Sequence, residues 1–161
     1  MATQKVDRGI QLGLLDRLID LEVDNRFDAP VTRAESLRQF RMAVKRDLEW
    51  LLNTTRMPIE VPESCGEVLH SVLFYGLPDV SSMPVHSGDE RRLMRALEKA
   101  IEVFEPRLAR ARVTSSEPFR KAQQAITFHV EAILLVDPAP ERIAFDTVLE
   151  ISKGAYSVKD A

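Results

Sequence analysis

In Leu97-Glu98-Lys99-Ala100-Ile101-Glu102-Val103-Phe104-Glu105-Pro106-Arg107-Leu108, the sequence changes from a helical pattern to a strand pattern. Pro106 has no backbone N–H and disfavours the helical conformation of the residue before it, so we expect the helix to end at this proline. Helical patterns precede the junction and strand patterns follow it. The helices are therefore expected in the part of the chain before the junction, and the strands of the sheet in the part after it.

Glu105 and Arg107 lie on either side of this proline, at a corner that the backbone holds stiff. Such a pair either closes the corner as a local salt bridge or is presented to a partner. The residue types alone favour the local bridge, because exposed ion pairs are common and contribute little to stability.

Composition narrows the class of protein. The 161 residues are 45% hydrophobic and 29% charged, which is typical of a soluble globular domain with a substantial core. A net charge of -3 gives no electrostatic reason to expect nucleic acid or an acidic membrane surface as a partner. The longest apolar runs are too short to span a bilayer, so no direct membrane insertion is expected.

The N-terminus and the cysteine content predict a cytoplasmic protein. The charged pair Asp7-Arg8 precedes any apolar block, so the chain lacks the apolar core of a secretory signal. Cys65 is the single cysteine, and no intrachain disulfide is possible.

An apolar stripe of leucines in residues 10–21 predicts a short helix near the N-terminus. The stripe consists of Leu14, Leu15, Leu18 and Leu21. The polar, turn-prone residues that follow are typical of a tether. We therefore expect residues 1–30 to form a docking helix and its tether, and residues 31–161 to form a single α+β domain. A helix folded back on its own core is the alternative, and the sequence does not decide between them.

Capping patterns mark the two long helices of the main domain. Thr32 and Glu35 open a helix that is expected to run to about Asn53, and Ser87 and Glu90 open the helix that ends at the corner. Trp50 lies on the first of these helices. One Trp on an amphipathic helix is ordinary packing, so we interpret it as a core or groove-rim residue.

Between the two long helices the sequence predicts an extended connector and a short helix. Pro58 and Pro62 exclude a helix in the connector. Apolar residues in the range 68–75 indicate the short helix, which Gly76 is expected to stop.

After the corner the apolar period falls from about 3.6 residues to about 2. It predicts strands around 109–113, 126–134 and 143–151, with a turn at Asp137-Pro138-Ala139-Pro140. Ala155-Tyr156-Ser157-Val158 is expected to be a short last strand at a sheet edge. The predicted fold is α+β, with helices packed on one face of a small antiparallel sheet.

The residue patterns of common ligand sites do not occur in the sequence. The six glycines form no phosphate-binding or dinucleotide-binding pattern. Cysteine and the three histidines have no metal-ligand spacing; these residues are Cys65, His70, His86 and His129. We expect neither a cofactor nor a metal.

Paired carboxylates are the remaining catalytic possibility. Glu102, Glu105 and Glu131 are candidates for the acid and base of a glycosidase, since such an enzyme needs two carboxyl groups across a cleft. The aromatic residues that would line a sugar cleft are dispersed along the chain. A lysozyme-like peptidoglycan hydrolase is therefore kept as the alternative function.

Five segments carry a resemblance to a known family. In chain order they are Leu14-Leu15-Asp16-Arg17-Leu18, Arg46-Asp47-Leu48-Glu49-Trp50-Leu51-Leu52-Asn53-Thr54, Ser71-Val72-Leu73-Phe74-Tyr75-Gly76-Leu77-Pro78-Asp79, Phe104-Glu105-Pro106-Arg107-Leu108, and Phe145-Asp146-Thr147-Val148-Leu149-Glu150 with the residues up to Val158. Together they resemble the contractile-tail baseplate wedge family, formerly labelled lysozyme-like, in its type VI secretion (TssE) branch. Phe74 stands where that branch more usually has asparagine, which affects only a local polar contact.

The resemblance implies a non-enzymatic, cytoplasmic baseplate component of a contractile, phage-tail-like injection machine. Its implied partners are the wedge proteins TssF and TssG, with TssK in the same assembly, and the sheath proteins TssB and TssC. The Glu105-Pro106-Arg107 signature is associated in the family with wedge contact, so the resemblance favours protein binding over a local bridge.

Two further contacts are predicted. Leu14, Leu18 and Leu21 are expected to dock on another subunit. The family's sheath link uses strand exchange, and the short last strand offers an edge that we expect to be open for main-chain hydrogen bonds.

Overall fold

The computed structural model describes residues 10–19, 32–79, 89–116, 125–151 and 153–160. Its helices are α1 (Leu14–Leu18), α2 (Arg33–Asn53) and α3 (Asp89–Phe104), with 3₁₀ turns at Glu63–His70 and Val72–Phe74. The strands are β1 (Leu108–Ser115), β2 (Ala125–Leu134), β3 (Glu141–Glu150) and β4 (Ala155–Asp160). They form one sheet in the order β1-β2-β3-β4, and every neighbouring pair is antiparallel. The predicted α+β fold is confirmed.

The chain divides into two compact units, residues 1–44 and 45–161, and α2 continues through the boundary. In the first unit the backbone N–H of Ile10 donates to Ser36 Oγ at 3.1 Å. The α1 residues Leu14 and Leu18 are 72% and 74% exposed. Leu21 and the predicted tether lie outside the described residues, so the docking helix stays a prediction.

The capping pattern at the start of α2 is confirmed. The Glu35 backbone N–H donates to Thr32 Oγ1 at 3.2 Å, which satisfies one of the unpaired donors of the first turn. The helix ends at Asn53, as the sequence predicts. Ser87 lies outside the described residues, so the second capping pattern is not described.

The corner after α3 has the predicted form. The Glu105 backbone N–H still donates to Ile101 O at 2.9 Å, and the Leu108 N–H donates to Glu105 O at 3.0 Å. Pro106 lies inside this turn, where its missing N–H costs no hydrogen bond. The chain therefore passes from α3 into β1 within three residues, and α3 contacts β1.

The sheet has the alternation that its sequence predicts, with buried residues at every second position of β2 and β3. The buried aromatic residues of these two strands are Phe128 and Phe145. In β1 the pairing slips between Ala109 and Arg112, and Arg110 has a φ of 55° at this bulge. No helix in the described segments is long and apolar enough to cross a membrane.

The short helix predicted around residues 68–75 is two 3₁₀ turns instead. Ser71 separates the turns with an extended backbone, at φ -84° and ψ 167°. Its hydroxyl donates to Val68 O at 2.6 Å. A serine that bonds the preceding turn in this way competes with the helix, which the apolar spacing alone does not reveal.

Candidate protein-binding site

The corner residues Glu105 and Arg107 form a bidentate pair. Arg107 Nε donates to Glu105 Oε1 at 2.5 Å, and Arg107 Nη2 donates to Glu105 Oε2. The backbone N–H of Arg107 also donates to Oε1 at 3.3 Å. Only 3% of Glu105 is exposed, so its carboxylate depends on these donors in place of water.

A second carboxylate, that of Asp47 on α2, binds the same guanidinium group. Arg107 Nη2 donates to Asp47 Oδ2 at 2.6 Å, across 60 residues of sequence. The hydrogen bond to Glu105 raises the pKa of Arg107 most, burial opposes it, and the bond to Asp47 raises it further. Arg107 is therefore a permanent cation that ties the corner to α2, and 24% of its side chain remains exposed.

Arg46 extends this network along α2 to the surface. Its Nε and Nη2 donate to Asp47 Oδ1 at 3.0 and 2.7 Å. The Arg46 guanidinium lies 4.8 Å from the centre of the Trp50 ring, at cation–π distance. Trp50 is half exposed, so of the two predicted positions, core or groove rim, the structure excludes the core. The charges alternate from Arg46 through Asp47 and Arg107 to Glu105.

Tyr75 lies beside the network. Its ring meets Phe104, the last residue of α3, edge to face with centres 5.4 Å apart. Burial raises the pKa of the Tyr75 hydroxyl most, and the charges of Asp47 and Glu105 raise it further.

The backbone after Tyr75 is fixed to the end of α2. Leu77 N–H donates to Thr54 O and Arg56 N–H donates to Leu77 O, both at 2.8 Å. Gly76 has a φ of +106°, and a Cβ on it would lie 2.1 Å from Thr54 O. The predicted glycine stop is therefore also a close approach that a larger residue would prevent.

At the opposite end of the sheet from β1, the last residue of α2 contacts β4. Asn53 Oδ1 accepts from Tyr156 N–H at 2.8 Å, and Asn53 Nδ2 donates to Tyr156 O at 2.9 Å. The sequence predicts an open edge at this strand. The structure corrects that prediction, because both main-chain groups of Tyr156 are already paired.

The sequence-predicted site residues fall into two groups. Glu105, Pro106 and Arg107 lie together at the corner, with Pro106 exposed and Glu105 buried. Leu14 and Leu18 lie in the first unit and are described there alone. Asp47 and Asn53 were not predicted as partners, although both fall in the Arg46–Thr54 segment that carries the resemblance.

The three carboxylates considered as the acid and base of a glycosidase have different environments. Glu102 and Glu131 are exposed, whereas both oxygens of Glu105 accept from Arg107. A general acid must carry a proton of its own, and the pairing of Glu105 is that of an ionised carboxylate. Among the described residues, no cluster of three or more His, Cys, Asp or Glu is arranged to hold a metal ion.

A search of curated proteins found no match. One solved structure, described as "The baseplate complex from the type VI secretion system", contains a chain 23% identical to this one, with a TM-score of 0.45; the alignment covers 68% of this chain and 93% of that chain. A family model described as "Baseplate wedge protein gp25" matches residues 38–139. This match takes in more than half of the chain, including the whole network from Arg46 to Arg107, and the chain belongs to the baseplate wedge protein gp25 family.

Proposed function

We propose that this protein is a structural component of the baseplate of a type VI secretion system, a TssE-type subunit that acts in the cytoplasm by binding other proteins. Its proposed partners are the wedge proteins TssF and TssG, with TssK in the same assembly, and the TssB and TssC sheath. Family membership supports the baseplate role, and the five matching segments support the type VI branch.

The observation that carries this proposal is the Asp47–Arg107–Glu105 network at the corner. Glu105 is buried behind Arg107 and acts as a positioning residue. Arg107 and the exposed Pro106 face outward, where a planar guanidinium held from two sides can meet a carboxylate or a carbonyl with little loss of entropy. The two interpretations of the pair, local salt bridge and partner contact, are therefore compatible. The local bridge orients the arginine that the partner contacts.

Two further contacts complete the proposal. The exposed apolar side of α1, with Leu14 and Leu18 and the adjoining Leu21, docks on a neighbouring baseplate subunit. The sheet provides the starting platform for the sheath by pairing with one of its strands.

The corner is tested with two matched variants, Arg107→Lys and Glu105→Gln. Both weaken the same ion pair, but only the first changes the outward-facing residue. Isothermal titration of each against the purified TssF–TssG wedge, below the melting temperature of the variant, measures binding separately from stability. We expect Arg107→Lys to weaken binding by about ten-fold or more, because an ammonium does not reproduce the fork.

Arg142→Ala is the control, since Arg142 is an exposed arginine on β3, two strands from β1 in the sheet. It is expected to bind like the wild type. Equal losses of binding in Arg107→Lys and Glu105→Gln would show that the network acts only through the fold, and would remove Arg107 from the binding surface.

A further inference from the structure

Residues 57–75 form a connector loop whose two ends are joined. At its base Arg56 N–H donates to Leu77 O and Leu77 N–H donates to Thr54 O, both at 2.8 Å. Within the described part of the chain, the backbone hydrogen bonds of the connector loop run only between its own residues. A connection of this length with only 3₁₀ turns of its own is long for a compact domain, and long surface loops are often functional.

The connector loop exposes apolar side chains along its length. Val72 is 85% exposed, more than any other large apolar side chain in the described segments. The other exposed apolar residues of the loop are Met57, Ile59, Leu69 and Leu73. Of the twelve exposed large apolar side chains that the described segments hold, five therefore fall in this one loop. Apolar side chains gathered in this way gain stabilisation when a partner covers them.

The charge of the connector loop is acidic. It contains Glu60, Glu63 and Glu67, and no lysine or arginine lies between residues 57 and 75. Glu60 and Glu67 are exposed, and neither has an ion-pair partner among the described residues. These charges repel nucleic acid, anionic lipid and the identical loop of a second copy, and they attract a basic segment. The surface therefore fits a basic protein segment.

We propose that the connector loop is a docking surface for a basic amphipathic segment of another protein, in which apolar residues are interleaved with lysine or arginine. The apolar residues of that segment cover Val72 and Leu73, and its cations meet the carboxylates of Glu60 and Glu67. The proposal goes beyond the proposed baseplate contacts, which involve the corner, α1 and the sheet.

Cys65 makes the test direct, because the single cysteine of the chain is exposed in this loop. A polarity-sensitive fluorophore on its thiol reports what covers the loop in the full chain. The probe is a Leu/Lys peptide of about 14 residues, long enough to form a helix with one apolar and one basic face. We expect saturable binding with a blue shift of the fluorophore. A Leu/Glu peptide of the same pattern is expected to bind at least about ten-fold more weakly.

The apolar contact is tested with the double variant Val72→Ser and Leu73→Ser. Both side chains are exposed, so the change leaves the core intact, and we expect the Leu/Lys peptide to bind about ten-fold more weakly. Leu135→Ser is the matched control, because Leu135 lies outside the loop and is 48% exposed, against 46% for Leu73. It is expected to bind like the wild type.

The charged contact is tested with the double variant Glu60→Gln and Glu67→Gln. Glutamine keeps the size of each side chain and removes its charge. We expect the Leu/Lys peptide to bind about five-fold more weakly, because two exposed ion pairs are lost. Added salt should weaken binding to this variant less than binding to the wild type.

Several results would overturn the proposal. Absence of saturable binding would do so, and an equal loss in Leu135→Ser would show that the peptide binds without regard to the loop. Equal binding of the Leu/Glu peptide would exclude a basic partner. Dimerisation of the unlabelled protein that Val72→Ser and Leu73→Ser abolish would make a second copy the occupant. A fluorophore already shielded from iodide in the free protein would make the chain itself the occupant. No baseplate protein enters this assay, so its failure is distinct from a failure of the wedge titration.

Discussion

The corner at Glu105 and the helix α1 differ in what surrounds them. Glu105 is buried, and every oxygen of its carboxylate is paired with a donor from the same chain. No residue of α1 is buried, and its leucines lie at the surface. A buried charge must be satisfied by its own fold, whereas an exposed apolar stripe gains its stabilisation only when something covers it. The carboxylate at the corner is therefore satisfied within the chain, whereas the leucines of α1 are exposed among the described residues.

The largest effect is expected from removal of the cation at the corner. Arg107→Ala leaves the Glu105 carboxylate buried without its partner, which typically costs about 3–5 kcal/mol of unfolding free energy. Chemical denaturation of the variant measures this loss. A loss of about 1 kcal/mol would be that of an exposed pair, and would contradict the burial of Glu105.

Gly76→Ala breaks the backbone contact beside the corner. The new Cβ would lie 2.1 Å from Thr54 O at a φ of +106°, so the segment that carries Tyr75 must move away from α2. We expect a loss of about 3 kcal/mol, from backbone strain and from the hydrogen bonds at Leu77. Gly66→Ala is the control in thermal denaturation, because a Cβ there meets nothing within 4 Å.

Asp47→Asn tests whether the half-buried part of the network contributes more to the unfolding free energy than an ordinary surface ion pair does. Asparagine keeps an acceptor for Arg107 but loses the charge, so we expect a loss of about 1–2 kcal/mol. Asp160→Asn is the matched change at the Lys45 ion pair, where the Asp160 side chain is 78% exposed. It is expected to cost less than about 0.5 kcal/mol. Raising the salt concentration should reduce the Asp160 effect more than the Asp47 effect, and equal losses would show that burial does not strengthen the network.

The sequence predicted the features that depend on neighbouring residues. The end of α3 follows from Pro106, the start of α2 from Thr32, and the strands from their alternation. The partners of the site could not be predicted in this way. Asp47 is 60 residues from Arg107 and Asn53 is 103 residues from Tyr156, and no local pattern records which distant groups a fold brings together. The 3₁₀ turns were missed because the hydroxyl of Ser71 competes with a helix that the apolar spacing favours.

Removal of α1 is expected to have the smallest effect on stability. Deletion of residues 1–25 loses the bond from Ile10 N–H to Ser36 Oγ but removes no buried residue of α1, so the unfolding free energy should change by about 1 kcal/mol or less. If α1 docks as proposed, binding to the wedge proteins should weaken, since Leu14 and Leu18 are exposed in the described part of the chain. The double variant Leu14→Ser and Leu18→Ser keeps the length of the chain and is expected to weaken binding in the same way. If the deletion instead lowered stability by several kcal/mol, the leucines would belong to the core of the protein, and α1 would be satisfied within the chain as the corner is.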